Sequence, residues 1–302
     1  MEESKQTGIN LDSLVQEEQT VINEIPKKPV SKSIAEQKLS THYNNVGWDI
    51  IDPVEGITMD AIMYEDLRKN AKDYVIKCRK RVQHHIPEHG DKFLDMGCGA
   101  IQFKEYADYS KNFAKRYCVD LSKKGLEEAK KRIGNHGVFL CGNFLDIDLE
   151  EDYFDCSVSL HAVYHIEKER QAEAVRKLIA VTKPQHKIII VYSNPKSYMY
   201  YLKLPYHALK NIALILHLLK KNTEEADLYY YVYPIKWWKQ FNDIATIKIL
   251  PWRSFRSSDQ KRIIPDNKIG RIVLDKLYRL EDRFPRFFVK FFEYPMIILT
   301  KK

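Results

Sequence analysis

Hydrophobic positions along the chain first follow a helical period and then alternate. Between Met59 and about His85 the apolar residues Ile62, Leu67, Tyr74, Val75, Cys78 and Val82 fall at helical spacing, and Pro87 ends the run. Strand-like segments then take turns with helical ones. Lys92–Met96, Arg116–Val119, Val138–Cys141, Phe154–Leu160 and Lys187–Ser193 read as five buried strands. Helices are expected over Tyr106–Phe113, Lys123–Ile133 and Glu167–Val181. Strands alternating with helices of this length predict a parallel sheet covered on both faces. Beyond Asn194 the alternation breaks. A lysine-flanked helical segment at 196–222 leads to a tyrosine cluster at 229–233 and a short helix at Ile235–Phe241. A strand at Thr246–Leu250, a long helix at Ile272–Phe292 and a closing strand at Met296–Leu299 follow.

Composition narrows the class. The 302 residues are 44% hydrophobic and 12% aromatic, too apolar for a disordered chain and enough for one large core. No apolar run approaches the roughly eighteen residues of a spanning helix, and the N-terminus lacks the pattern of a secretion signal. Five cysteines, odd in number and without a CxxC pair, argue against a disulfide framework or zinc ribbon and for a cytoplasmic setting. The net charge of +8 is uneven: residues 1–40 carry −2, residues 41–182 carry −3 and residues 183–302 carry +13. Such a basic end suits an anionic substrate, a membrane surface or nucleic acid.

The chemistry concentrates at one turn. Phe93-Leu94-Asp95-Met96-Gly97-Cys98-Gly99 is a buried strand that ends in an acid and turns on two glycines. Glycines there let a ligand approach the backbone, and the first such turn of an open sheet lies beside the point where ligands bind. Asp120 ends the next strand, where a carboxylate meets the hydroxyls of an adenosine ribose. A nicotinamide dinucleotide fits poorly, because Gln102 replaces the third glycine of GxGxxG and Asp95 repels a pyrophosphate. A nucleoside carrying an amino group and a sulfonium gains from that same acid.

The stretch from Phe93 to Ser193 resembles the class I S-adenosylmethionine-dependent methyltransferases. The likeness is carried by LDMGCGA (94–100), YCVDLS (117–122), CGNFLDIDLEEDYFD (141–155) and SLHAVYHI (159–166). It implies a Rossmann-like α/β fold, a seven-stranded, mostly parallel sheet with helices on both faces and helical cap insertions. Residues 1–40 are then a mobile tail, 41–90 an N-terminal helical cap, and 91–302 a core with insertions at 195–233 and 251–293. Under this resemblance S-adenosyl-L-methionine is the cofactor. Asp95 and the Gly97–Gly99 backbone hold its methionine end, Asp120 takes the ribose hydroxyls and Leu121 packs on the adenine. Asn143 stands where the family places an aspartate toward the adenine amino group, and Phe144 flanks the ring. Ile101 replaces a frequent third glycine, and Tyr43 resembles an aromatic that folds over the cofactor.

The acceptor is less legible. His161 and His165, just past the fourth strand, are the candidates for a general base, with His165 also suited to orienting the loop. They lack a third partner at metal-ligand spacing, so no metal is expected. Tyr198, Tyr230 and Trp237, within an aromatic-rich stretch, are candidate acceptor contacts. A small-molecule acceptor methylated on a hydroxyl, sugar or glycan-related, is the leading expectation. An RNA or nucleobase methyltransferase using the basic C-terminal part, or a non-catalytic cofactor-binding subunit, are the alternatives. The apolar run Ala208–Leu219 and the tract RFPRFFVKFF (283–292) suit a buried cap or contact with a membrane surface.

Overall fold

The computed structural model describes residues 22–24, 33–198, 201–202, 204–205, 208–209 and 228–302. Eight strands make the main sheet: β1 (Ile22–Glu24), β4 (Gly90–Met96), β5 (Phe113–Asp120), β6 (Gly137–Cys141), β7 (Phe154–Leu160), β8 (Thr182–Val191), β9 (Ala245–Arg253) and β10 (Tyr294–Lys301). A separate hairpin joins β2 (Ile50–Asp52) to β3 (Ile57–Thr58). Across the main sheet the order is β1-β6-β5-β4-β7-β8-β10-β9. All pairings are parallel except those of β10, which runs against both β8 and β9. The order reverses direction between β4 and β7, so the ends of these two strands open the crevice in which ligands of such sheets bind.

The helices are α1 (Ile34–His42), α2 (Met59–Tyr64), α3 (Lys72–Gln83), α4 (Lys104–Ala107), α5 (Lys123–Ile133), α6 (Gln171–Val181), α7 (Ser257–Ile263), α8 (Lys268–Arg283) and α9 (Pro285–Phe291). Strand periodicity sorts the core onto two faces. Leu94, Ile188 and Ile190 point to one, with Tyr117, Leu140, Leu178 and Trp238. Phe93, Ile189 and Val191 point to the other, with Tyr74, Val82, Trp252 and Leu274.

Three expected helices change form. The run from Met59 to His85 divides at Glu65, whose backbone is extended. Arg68 turns back there to donate to Asp66 and to the Ile264 carbonyl at 2.8 Å, which spends its side chain on a loop contact rather than a helix face. Ile272–Phe292 divides at Phe284, because Pro285 has no N–H and drives the preceding residue out of the helical region. Over Tyr106–Phe113 only the short α4 and one tighter turn form, and Phe113 already belongs to β5. Within residues 1–40, expected as a tail, β1 pairs with the edge strand β6 and α1 begins at Ile34, capped by the Ser33 hydroxyl.

A buried polar cluster binds the N-terminal cap to the C-terminal insertion. Arg81 on α3 meets Glu281 on α8 at 2.6 Å, and Glu281 also accepts from the Tyr74 hydroxyl at 2.7 Å and the Ser254 N–H at 3.1 Å. Arg81 donates further to the Trp252 carbonyl on β9 at 2.9 Å. This network fixes α8 against α3, with one side of the helix facing away from the sheet.

Candidate functional site

The β4 strand ends at Met96, and the chain turns at once. Gly97, Gly99 and Ile101 have φ of 73°, 51° and 49°. A Cβ built on Gly97 would fall 2.4 Å from that of Ala162, and one on Gly99 would fall 2.4 Å from the Trp48 ring. Only glycine fits those two places. The third position keeps the left-handed turn although a β-branched residue fills it. Ile101 is buried against Cys118, Leu126, Ala129 and Phe139, and that packing offsets the backbone strain.

Asp120, at the end of β5, accepts the Gly99 N–H through Oδ2 and the Ser122 N–H through Oδ1, both at 2.8 Å. Each oxygen keeps lone-pair capacity toward the crevice. Burial pushes its carboxyl up to about 6, against the opposing pull of the Ser122 and Gly99 N–H groups. Leu121 follows half-buried, its carbonyl accepting the Ser40 hydroxyl at 3.3 Å.

The N-terminal segment roofs this place. Tyr43 stacks on Trp48 at 5.0 Å between ring centres, and its hydroxyl bonds Asp60. Burial raises the Tyr43 hydroxyl well above its ordinary value, and the Asp60 carboxylate adds to the shift. Asn44 accepts from the Ser122 hydroxyl at 2.9 Å and the Lys124 N–H at 3.2 Å. Asn143 bonds Glu36 on α1 at 3.4 Å, while its own carbonyl oxygen accepts the Leu145 N–H at 3.0 Å. Phe144 is buried among the core residues below, with Lys177 bonded to its carbonyl at 2.7 Å.

Asp95 is buried and forms an ion pair with Arg116, whose guanidinium also donates to the Tyr106 carbonyl at 2.6 Å. Its charge is thus shared with that guanidinium through Oδ2 inside the protein. A second carboxylate, Asp60, stands beside the glycine turn. Gln102 donates to it at 2.8 Å, and it makes no ion pair among the described residues. Burial lifts its carboxyl to about 6, the Gln102 bond opposing. The sequence pattern gave no sign of Asp60, which lies in the cap far from the glycine motif.

Across the crevice, β7 delivers His161. The residue has φ of 60°, its Nδ1 lies 3.0 Å from the Tyr164 hydroxyl, and its ring packs edge-on to Trp252 and Tyr294 at 4.7 and 5.2 Å. Burial, with the nearby Arg253 charge, lowers its imidazole to about 3. Among the described residues Nε2 has no hydrogen-bond partner. His165 instead bonds the Tyr229 carbonyl at 2.8 Å and holds that loop, its imidazole lowered by burial against that bond.

Tyr230 joins this group through Tyr164, with ring centres 5.0 Å apart, and donates to Ser193 at 2.7 Å. Arg253 pairs with Glu65 at 2.9 Å and Arg256 with Glu293 at 2.6 Å, closing the wall. Tyr198 is half exposed and nears Phe292, with centres 6.5 Å apart. Trp237 stacks on Tyr233 at 4.6 Å and meets Trp238 and Phe241, away from His161. The sequence singled out His161 and Tyr230 but not Tyr164, three residues on from His161, nor Trp252 and Arg253 on β9 or Tyr294 on β10. The run Ala208–Leu219 lies almost wholly outside the described residues.

No group of three metal-ligating side chains occurs among the described residues. A 440 Å³ groove opens between α3 and α8, lined in part by Tyr74, Lys77, Arg271 and Asp275. It shares no residue with the crevice.

Residues 94–190 match the family described as a methyltransferase domain. No curated protein matches the chain by sequence. Magnesium protoporphyrin IX methyltransferase from Synechocystis PCC 6803, solved with bound SAH, is similar at 14% identity and TM-score 0.51, covering 89% of this chain and 100% of that one. A geranyl diphosphate methyltransferase solved with GPP and sinefungin is similar at 14% identity and TM-score 0.50, covering 88% and 99%. Phosphoethanolamine N-methyltransferase 2 from Haemonchus contortus gives 14% identity and TM-score 0.46 over 76% of this chain, which spans about half (52%) of its length. At these identities the likeness shows a shared fold, the Rossmann-like α/β sheet.

Proposed function

We infer, from the premise that residues 94–190 are a methyltransferase domain, that the chain transfers a methyl group from S-adenosylmethionine to a hydroxyl of a small molecule, a sugar or related ring. The observation that carries this is the Asp120 carboxylate at the end of β5, held by the Gly99 and Ser122 N–H groups one strand from the point where the sheet order reverses. Its remaining lone pairs suit two neighbouring hydroxyls, as a ribose offers. Gly97 and Gly99, held by positive φ and by the close approach of Ala162 and the Trp48 ring, shape the turn whose Gly99 N–H holds that carboxylate. The donor set therefore fits the cofactor, with Asp60 joining Asp95 as an acid available to its ammonium group.

When bound, the cofactor supplies a methyl group on a positively charged sulfur with a good leaving group. The chain's own residues position the rest. Tyr43 and Trp48 roof the nucleoside place and keep water out. Tyr164, Tyr230, Trp252 and Tyr294 give aromatic walls, three of them with hydroxyl tips, and these suit a polar ring. With Nδ1–H donating to the Tyr164 hydroxyl, Nε2 of His161 carries the lone pair. As the acceptor oxygen takes the methyl group that the bound cofactor would supply, its hydroxyl proton would pass to Nε2. A ring lowered to about 3 is a weak base, but it stays neutral at every physiological pH. The proton it takes grows strongly acidic as the oxygen gains charge, so a weak base suffices.

His161→Ala tests the assignment. Turnover over a panel of hydroxyl acceptors should fall about 10²–10⁴-fold, with S-adenosylhomocysteine affinity by calorimetry nearly unchanged. Lost cofactor binding with turnover per complex retained would overturn the role.

A further inference from the structure

The outward side of α8 is apolar where a surface helix is ordinarily polar. Ile269, Ile272, Val273 and Leu280 lie at spacings of three, four and eleven residues, on one arc of the helix, and Phe284 follows just past its end. Their exposures run from 39% at Val273 to 65% at Ile269. Phe287 on α9 is 52% exposed and follows them. A second arc, Gly270, Leu274 and Glu281, is buried against α3 and β9, so the helix is not free to roll its apolar side inward.

Charge frames this stripe. Residues 261–290 carry nine basic and four acidic side chains. Of the acids, Asp275 is already paired with Lys77 and Arg279, and Glu281 and Asp282 with Arg81. Lys268, Lys276, Arg283, Arg286 and Lys290 are exposed and make no ion pair among the described residues. Four of the six stripe residues, Ile269, Ile272, Val273 and Leu280, are aliphatic and offer no π-face for bases, which disfavours single-stranded nucleic acid. A second copy would bring two such basic faces together and repel.

We propose that the α8–α9 face docks on an anionic phospholipid surface. Its aliphatic and phenylalanine side chains enter the acyl boundary, while the lysines and arginines reach the headgroups. The proposal goes beyond the methyl-transfer reading and stands apart from it, since no residue of the crevice takes part.

Flotation of the full chain with vesicles of phosphatidylcholine, alone or with 30% phosphatidylserine, tests it. The chain should float with the anionic vesicles and not with the neutral ones. Arg283→Gln and Arg286→Gln should each lower partitioning about fivefold. Ile272→Ser with Leu280→Ser should abolish what survives high salt. Because all four side chains are exposed, the variants should keep their S-adenosylhomocysteine affinity, which also separates failure here from failure of the enzymatic reading. Equal partitioning of wild type and variants overturns the proposal. So does a dimer in sedimentation that Ile272→Ser dissociates, or binding to an RNA homopolymer that the serine changes leave intact.

Discussion

Cofactor affinity should depend on acid through Asp120. In the free protein its carboxyl is held near 6 by burial. Hydroxyls of a bound ribose donate to the ionised form and favour it, so binding must expel whatever proton the group carries. The folded carboxyl is raised above its ordinary 3.8, so it takes up protons as pH falls through 6. Affinity is then full above pH 7 and weakens below. With a bound-state value well under 5, linkage gives a loss of about twofold at pH 6 and about tenfold at pH 5. Calorimetric titration with S-adenosylhomocysteine at pH 7.5, 6 and 5 reads this directly. Asp120→Asn should weaken binding at pH 7.5 about 10- to 150-fold, the worth of a hydrogen bond to a charged group, and should flatten the part of the slope that Asp120 supplies. Asp60, also near 6 and assigned to the cofactor's ammonium group, adds a second part to the slope, which Asp60→Asn isolates. A flat wild-type profile, or a slope that Asp60→Asn removes and Asp120→Asn leaves, would refute the reasoning.

Arg81→Met leaves Glu281 buried without its cation and should lower unfolding free energy by about 3–5 kcal/mol in urea titration; a change below about 1 kcal/mol would mean that water reaches the pair. Gly97→Ala, at φ of 73° and against Ala162, combines about 1–2 kcal/mol of backbone strain with a clash. Its cofactor affinity should drop more than about tenfold, on the scale of that strain, and Ala162→Gly should restore only the clash part. Trp48→Ala removes the ring lying over Gly99 and should quicken release of S-adenosylhomocysteine in stopped-flow without abolishing binding.

Much of this architecture was readable in the alternation of apolar residues. Phe154–Leu160 and Lys123–Ile133 form over the limits their pattern predicts. The glycine turn and Asp120 stand where strand ends placed them, since local sequence dictates both. What escaped is non-local. The Asp95–Arg116 pair joins neighbouring strands, and only their register brings the charges together. Asp60 reaches the crevice because Gln102 and Tyr43 hold it there. The break at Phe284 was written in Pro285, but the surrounding apolar period masked it. Trp252 and Tyr294 surround His161 only through folding, so no spacing could announce them, whereas Tyr164 stands three residues on in the same motif.

The most direct measurement is a structure of the chain with S-adenosylhomocysteine. The account predicts both ribose hydroxyls within about 2.5–2.7 Å of the Asp120 carboxylate, the nucleoside lying beside the Gly97–Gly99 turn. A nucleoside seated elsewhere, as in the groove between α3 and α8, would contradict it.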